Sequence, residues 1–266
     1  MNANRLDFKN LTLGYGSHAA VHHLNGSVAR GSLTAVVGAN GSGKSTLMKG
    51  IAGILKPISG TCELHFDRLG YLPQHSEIDR FFPARVIDLV SLGFWQKRGL
   101  FGRLTRGDRD DLSNCLAEVG LHGFENRPLD SLSGGQMQRA LFARTMLQDA
   151  DLILLDEPFN AVDEPTIRHL MDVIEAWVSE GRTVLCVLHD HALVRSHFPE
   201  TLLMARKPVA WGPTSEVLTE HNLSRARIFQ EAWDDNAGWC EDDTESQVHS
   251  QGHDDTAHSH RTTAHV

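Results

Sequence analysis

The chain has 266 residues, 41% of them hydrophobic, and a formal net charge of −9. Its length and apolar content can bury a sizeable core, whereas its acidic balance argues against broad nucleic-acid affinity, so no nucleic-acid partner is expected. No run approaches the roughly 18 apolar residues of a membrane-spanning helix, and residues 1–10 lack the layout of a signal peptide. Any work at a membrane is therefore expected to require a separate membrane partner. The four cysteines are Cys62, Cys115, Cys186 and Cys240. They form no CxxC pair, which favours a location in a reducing cytosol.

Hydropathy patterns in the first quarter predict two strands and a helix. Residues 6–13 alternate as a strand does, and residues 33–37 form a short buried strand that leads into a glycine-rich turn. After that turn, residues 45–52 are predicted to be helical, with Gly53 and Pro57 ending the helix.

The middle of the chain, roughly residues 75–145, has helical patterning and few strand signals. Beyond it, residues 151–156 and 183–188 are continuous apolar runs, typical of parallel strands covered on both faces. A crossover helix is predicted between them, with Pro165 in its first turn and Gly181 after its end. Its apolar face carries Ile167, Leu170, Met171, Ile174, Trp177 and Val178 at helical spacing. The pattern predicts an α/β nucleotide-binding core with a helical insert.

The glycine-rich turn has the spacing of a phosphate-binding loop. Residues 38–46 match G-x-x-x-x-G-K-[ST] at the junction of a strand and a helix, where backbone N–H groups and the helix dipole favour phosphate. Lys44 is expected to contact the β- and γ-phosphates of ATP, Ser45 to bind Mg²⁺, and Thr46 to support the α-phosphate. The predicted ATP-binding residues here are Gly38, Ala39, Asn40, Gly41, Ser42, Gly43, Lys44, Ser45 and Thr46.

Two adjacent carboxylates follow the apolar run at residues 151–156. Because open α/β sheets bind ligands at the carboxyl ends of parallel strands, Asp156 and Glu157 are expected to face the phosphate loop. Asp156 is suited to hold Mg²⁺, and Glu157 to orient or deprotonate the attacking water. The sequence therefore predicts phosphate-bond hydrolysis.

A second motif resembles that of a known protein family. Residues 132–136, Leu-Ser-Gly-Gly-Gln, resemble the signature of ATP-binding cassette (ABC) proteins, with Ser133, Gly134, Gly135 and Gln136 beginning a helix. The resemblance, which covers residues 5 to about 230, implies a P-loop NTPase core with an antiparallel β region and a helical subdomain. It also implies that a second copy of the chain completes each ATP site through its own signature, making the protein a homodimer.

Further family landmarks occur in the expected order. Tyr15 looks like the aromatic residue that stacks on adenine, Gln74 like the glutamine that senses Mg²⁺, and His189 like the histidine that contacts the γ-phosphate. His189 also has a structural alternative, as a hydrogen-bonded histidine at a strand end. Asp163 matches the loop that crosses the dimer interface, whereas the role of Asn160 stays open because the family form commonly begins with serine or alanine.

Residues 71–83 resemble the zinc and manganese importer branch of this family. Glu77, Ile78, Asp79, Phe82 and Pro83 carry most of the likeness, followed by Val86, Asp88, Val90 and Gly93. In this family the region contacts the membrane permease; alternatively, these residues only pack the helical insert. Residues 208–219 resemble zinc-uptake cassettes, which favours zinc over manganese.

That resemblance sets the expected partners and location. It implies a membrane permease, an indirectly associated extracytoplasmic metal-binding protein, and a position at the cytoplasmic face of the plasma (inner) membrane. One alternative is a soluble ABC ATPase without a transport role.

The end of the chain differs in composition. The ABC ATPase domain is predicted over residues 1–233, and residues 234–266, with eight acidic residues and one basic, form a tail expected to be disordered. The tail is either a passive solvated segment or a weak zinc-capturing one. Its candidate ligands are Cys240, His249, His253, His258, His260 and His265. A last alternative is therefore a cytosolic metal-binding protein whose ATPase is secondary.

Overall fold

A three-stranded antiparallel sheet opens the fold. The computed structural model of the protein describes residues 6–16, 18–74, 82–99 and 102–231. In this sheet β1 (Leu6–Tyr15) lies between β2 (His18–Val28) and β4 (Ser59–Leu64). The strand predicted over residues 6–13 is confirmed and continues for two more residues. Its apolar side chains Leu11 and Leu13 are fully buried, so the sheet contributes one face of a core.

A second, six-stranded sheet carries the rest of the core. Its strands are β3 (Leu33–Val37), β5 (Leu69–Leu72), β6 (Leu152–Asp156), β7 (Thr183–Val187), β8 (Glu200–Ala205) and β9 (Lys207–Pro213). They lie in the order β5-β6-β7-β3-β8-β9, with only β9 antiparallel to its neighbour. Every residue of β3, β6 and β7 is buried, which confirms the three strands predicted from continuous apolar runs.

Helices connect these strands and cover their faces. They are α1 (Lys44–Ile51), α2 (Val86–Ser91), α3 (Trp95–Arg98), α4 (Arg106–Glu118), α5 (Gly134–Met146), α6 (Glu164–Ser179), α7 (His191–His197), α8 (Thr214–Val217) and α9 (Glu220–Glu231). The predicted helical insert is confirmed, because α2 to α5 all lie between β5 and β6. The predicted crossover helix is α6, which begins after the N-cap residue Asp163 and buries Ile174 and Trp177.

The helical insert and the main sheet share one apolar core. Phe142 of α5 is fully buried and stacks on Trp177 of α6, with ring centroids 5.4 Å apart and planes 11° apart. Leu112 and Leu116 of α4 belong to the same cluster. The signature helix α5 is therefore fixed to the sheet by its buried face.

Several expectations fall on residues outside the described ranges. These include Glu77, Ile78 and Asp79 of the importer-like stretch and all the tail ligands from residue 240 onwards. The boundary between domain and tail at residue 233 accordingly stays a prediction. Across the part of the chain that the structure describes, we find no helix with the length and apolar character needed to cross a membrane.

Candidate nucleotide-hydrolysis site

The phosphate loop lies between β3 and α1, and glycine backbone conformations shape it. Gly41 and Gly43 have φ angles of +77° and +94°, which L side chains rarely adopt. A Cβ atom on Gly43 would lie 2.3 Å from the carbonyl oxygen of Ala20, so only glycine fits there. Gly43 is also the N-cap of α1 and has no side chain to bond the first N–H groups. Those N–H donors therefore face an anion site at a helix N-terminus.

Lys44 lies inside this loop. Its side-chain Nζ donates hydrogen bonds to the carbonyl oxygens of Gly38 at 2.9 Å and Ala39 at 2.8 Å, and the residue is only 5% exposed. Burial lowers the pKa of Lys44, and the charges of Glu157 and Asp156 only partly offset that effect. An ammonium group with little solvent and nearby carboxylates is suited to neutralise an incoming polyphosphate.

Ser45 and Asp156 bring two oxygen donors together from distant parts of the sequence. Asp156, the last residue of β6, is fully buried, and its Oδ1 accepts a hydrogen bond of 3.2 Å from the Ser45 hydroxyl. Hydroxyl and carboxylate oxygens are ligands that Mg²⁺ prefers. The predicted metal-binding pair is thus adjacent in space, beside the phosphate loop.

Glu157 follows Asp156 and has an unusual backbone. Its φ of +53° lies in the left-handed region, which is uncommon for residues other than glycine and is concentrated at functional sites. Its Oε1 lies 2.6 Å from Nε2 of His189, at the end of the neighbouring strand. Burial raises the pKa of Glu157. Hydrogen bonds from His189 and Gln74, together with the charges of His189 and Lys44, lower that pKa by more than burial raises it, so the net shift is downward. This carboxylate is therefore held ionised.

A cavity of about 330 Å³ brings together eight of the predicted site residues. Its lining includes Ala20, Asn40, Gly41, Gly43, Lys44, Ser45, Thr46, Gln74 and Glu157. Tyr15 lies at the end of β1 and is 52% exposed. The signature residues, Asp163, Asp156 and His189 are not among the residues that line this cavity.

The signature turn forms a reciprocal cap on α5. Gln136 donates its backbone N–H to the Ser133 hydroxyl at 3.2 Å, and Ser133 donates its own to Oε1 of Gln136 at 3.0 Å. A Cβ atom on Gly135 would lie 2.5 Å from the carbonyl oxygen of Ala161, so this glycine allows close packing against the loop before α6. The signature and that loop are thus in direct contact within one chain.

The loop before α6 has defined contacts at both ends. Asp163 accepts a hydrogen bond of 3.0 Å from the backbone N–H of Thr166 and so caps α6. Asn160, whose role the sequence left open, lines a second cavity of about 340 Å³ together with Glu157 and His189. Asn160 therefore lies beside Glu157 and His189.

Gln138 is a site residue that the sequence analysis missed. It is fully buried, and its side-chain Nε2 donates to the carbonyl oxygen of Glu157 at 3.2 Å, which helps hold the left-handed backbone there. A signal existed in the sequence. Gln138 shares the buried face of α5 with Leu141 and Phe142, where an amide needs a hydrogen-bond partner.

Comparisons with known proteins agree with this geometry. The family model described as "ABC transporter" matches residues 21–160, just over half of the chain. A metal transport system ATP-binding protein of Chlamydia pneumoniae is 38% identical, covering 79% of this chain and 83% of its own. The manganese transport system ATP-binding protein MntB of Bacillus subtilis is 34% identical, covering 83% and 91%.

Two further matches broaden the comparison. The zinc transport system ATP-binding protein TroB of Treponema pallidum is 34% identical, covering 81% of this chain and 84% of its own. A solved structure of an ABC transporter of the metal-chelate type, in an inward-facing conformation, superposes with a TM-score of 0.74 at 30% identity, covering 85% of this chain and 89% of the other.

The parallel sheet, phosphate loop and paired carboxylates define a P-loop nucleotide hydrolase, and the expected fold class is confirmed. The chain belongs to the ATP-binding cassette transporter family. It is an ATP-binding cassette whose ATP hydrolysis is coupled to transport.

Proposed function

We propose that this chain is the ATP-hydrolysing subunit of an importer for a divalent transition metal, with zinc as the first candidate and manganese as the alternative. The single observation that carries the hydrolytic part is the convergence of Lys44, Ser45, Gln74 and Glu157 on one cavity. The relatives named for manganese and for zinc support the metal part, and their equal identity of 34% leaves the choice between metals to the sequence resemblance.

The chain's own residues fit MgATP. Lys44 and the N–H groups at the start of α1 hold the phosphates, while Ser45 and Asp156 supply oxygen ligands to Mg²⁺, with Gln74 beside them. When bound, Mg²⁺ neutralises charge on the phosphate oxygens. Tyr15 provides an aromatic face for adenine.

Glu157 is the proposed general base. Its lowered pKa keeps the carboxylate ionised at neutral pH, so it can accept a hydrogen bond or a proton from the attacking water. His189, whose Nε2 lies 2.6 Å from Oε1 of Glu157, orients that carboxylate, and its proposed role is to contact the γ-phosphate. The hydrogen bond from Gln138 to the carbonyl oxygen of Glu157 holds the backbone of Glu157 and so helps to keep the base in one orientation.

The proposed assembly is a homodimer bound to a membrane permease. In the proposed homodimer, Ser133 to Gln136 and Asp163 of the second copy complete the ATP site, and hydrolysis releases the two copies. A membrane permease binds this subunit at the cytoplasmic face of the inner membrane, and an extracytoplasmic protein delivers the metal. Phe82, which belongs to the importer-like stretch and is exposed, suits contact with that permease.

Zinc is preferred to manganese for one reason. Residues 208–219, which resemble zinc-uptake cassettes, span most of β9, all of α8 and the connection to α9. No residue of the cassette needs to touch the transported ion, because the resemblance assigns that chemistry to the permease and the binding protein.

Elemental analysis of zinc-starved cells tests the transport role. Cells that lack this chain are compared with cells restored by the wild type or by Glu157→Gln, and low zinc that only the wild type corrects is the expected result. Low manganese instead would assign manganese as the transported metal. Raised metal content would indicate export, and unchanged metal content would reject a transport role.

A purified sample tests the catalytic assignment separately. Because the amide of Glu157→Gln cannot take a proton, ATP turnover is expected to fall about 100-fold or more while ATP stays bound and traps a dimer. Phosphate release and size-exclusion chromatography with ATP measure both effects. Normal turnover in this variant would reject Glu157 as the base.

A further inference from the structure

The outer side of the phosphate loop contacts two segments from the last quarter of the chain. The backbone N–H of Arg206, in the turn between β8 and β9, donates to the carbonyl oxygen of Ser42 at 2.9 Å. The side-chain Nε2 of Gln230, in the last turn of α9, donates to the carbonyl oxygen of Asn40 at 3.4 Å. Two outer carbonyls of the loop are thus held by residues far along the sequence.

These contacts determine which way the next N–H groups point. In a planar trans peptide the C=O and N–H bonds point in opposite directions. A hydrogen bond that holds the Asn40 carbonyl outward therefore turns the N–H of Gly41 toward the inner, phosphate-facing side of the loop. The Ser42 carbonyl acts likewise on Gly43. Both glycines have positive φ angles and wide conformational freedom, so an external anchor restricts them.

Gln230 packs closely on the loop. A Cβ atom added to Gly41 would lie 3.7 Å from Nε2 of Gln230, in van der Waals contact. The Oε1 atom of Gln230 is buried and makes no hydrogen bond within the described residues. The amide is therefore enclosed against the loop rather than extended into solvent.

Helix α9 itself is lightly attached. Among its residues none is fully buried, and only Leu223 and Ala226 pack against the core. Near its end, the ring of Phe229 lies under the ammonium group of Lys207, with Nζ 4.2 Å from the ring centroid. Lys207 directly follows Arg206, so this contact ties α9 to the same turn that holds Ser42.

We propose that Gln230 is a positioning residue for the phosphate loop. Docked through Phe229, it holds the Asn40–Gly41 peptide so that the N–H of Gly41 faces the nucleotide phosphates. This inference rests on ATP binding by the loop and is independent of the transported metal.

Nucleotide affinity of the full-length purified chain tests this role. The substitution Gln230→Met keeps the side-chain length but removes the donor, and Phe229→Leu removes the aromatic contact that docks α9. Each is expected to raise the Kd for a fluorescent ATP analogue with Mg²⁺, and the KM for ATP, about threefold to tenfold, the range of one neutral hydrogen bond. The kcat should stay within twofold, because Glu157 and His189 lie on other elements. The double variant should raise Kd and KM no more than Gln230→Met alone does, since both changes remove the same contact between α9 and the phosphate loop.

Ile228→Ala is the matched control, because Ile228 lies on the same helix and is 60% exposed. Its Kd should stay within twofold of the wild type, and thermal unfolding of every variant verifies that each one is folded. A Kd unchanged within twofold in Gln230→Met overturns the proposal, as does an equal rise in Ile228→Ala or a fall in kcat without a rise in KM. Since only the chain and nucleotide are present, a failure to import metal in cells has no bearing on this result.

Discussion

Helices α1 and α5 both begin at glycine-rich turns, but their N-termini are completed in different ways. The N-cap of α1 is Gly43, which offers no side-chain acceptor to the first N–H groups. The N-cap of α5 is Ser133, which forms a reciprocal cap with Gln136. The first N–H groups of α1 therefore have no side-chain acceptor at the N-cap, whereas one N–H group at the start of α5 is bonded to Ser133 of the same chain.

In the proposed homodimer, this difference allows the α1 end of one copy and the α5 end of the other to bind the same nucleotide. The open end of α1 can bind phosphate within a single chain, with Lys44 supplying charge. In the capped end of α5, the Ser133 oxygen accepts from Gln136, and its hydroxyl proton remains able to donate. In the proposed homodimer, the cap thus orients Ser133 for a phosphate bound by the second copy, and little reorganisation is needed on contact.

Removing the charge at the α1 end is expected to have the largest effect. Lys44→Ala deletes a buried ammonium group and should weaken ATP binding about 100-fold, because charge-assisted hydrogen bonds to two phosphates are lost. Equilibrium binding of ATP to the purified chain measures the change. Lys49→Ala, in the last turn of the same helix, is the control and should bind normally. Comparable loss in both variants would show that the helix rather than the charge was damaged.

Removing the cap at the α5 end should affect turnover rather than binding. Ser133→Ala is expected to lower ATPase activity about tenfold by deleting one donor to the transition state, while the Kd of a single chain for ATP stays unchanged. Loss of the cap should also cost about 1 kcal/mol of stability. Steady-state phosphate release, ATP binding and thermal unfolding separate these effects.

The matched control for that cap lies in α4. Thr105 forms the same type of reciprocal cap with Asp108, away from the nucleotide cavity. Thr105→Ala should therefore lose similar stability and keep its ATPase activity. If both variants lost activity equally, Ser133 would be a structural cap and nothing more.

The smallest expected effect is a pH dependence that distinguishes these two caps. Hydrogen bonds from Arg98 and from the Thr105 backbone hold the pKa of Asp108 below its usual range, whereas Gln136 does not titrate. Because the folded pKa is lowered, Asp108 stabilises the fold above its unfolded pKa of about 3.9, and that stability is lost as pH falls below this value. Denaturant unfolding should show the stability gap between wild type and Asp108→Asn shrinking from pH 6 to pH 3. A constant gap would contradict the assignment.

Local patterns predicted the sheet core and the helix that begins at Lys44 because their causes are local. A continuous apolar run is enough to specify a buried strand such as Leu33–Val37, and glycine spacing is enough to specify the phosphate loop. The contact between Gln138 and Glu157 needed knowledge of which face of α5 is buried. The contact of Gln230 with Asn40 joins positions 190 residues apart, and no local pattern encodes it.

Helix α5 also has a mechanical property. Its 13 residues span about 20 Å, and no glycine or proline follows Gly135 within it. Its far end donates from Arg144 to the carbonyl oxygen of Tyr71 in β5 at 2.8 Å, three residues before Gln74. Force applied to the signature turn would therefore reach Tyr71 in β5, with no glycine or proline between Gly135 and Arg144 to act as a hinge.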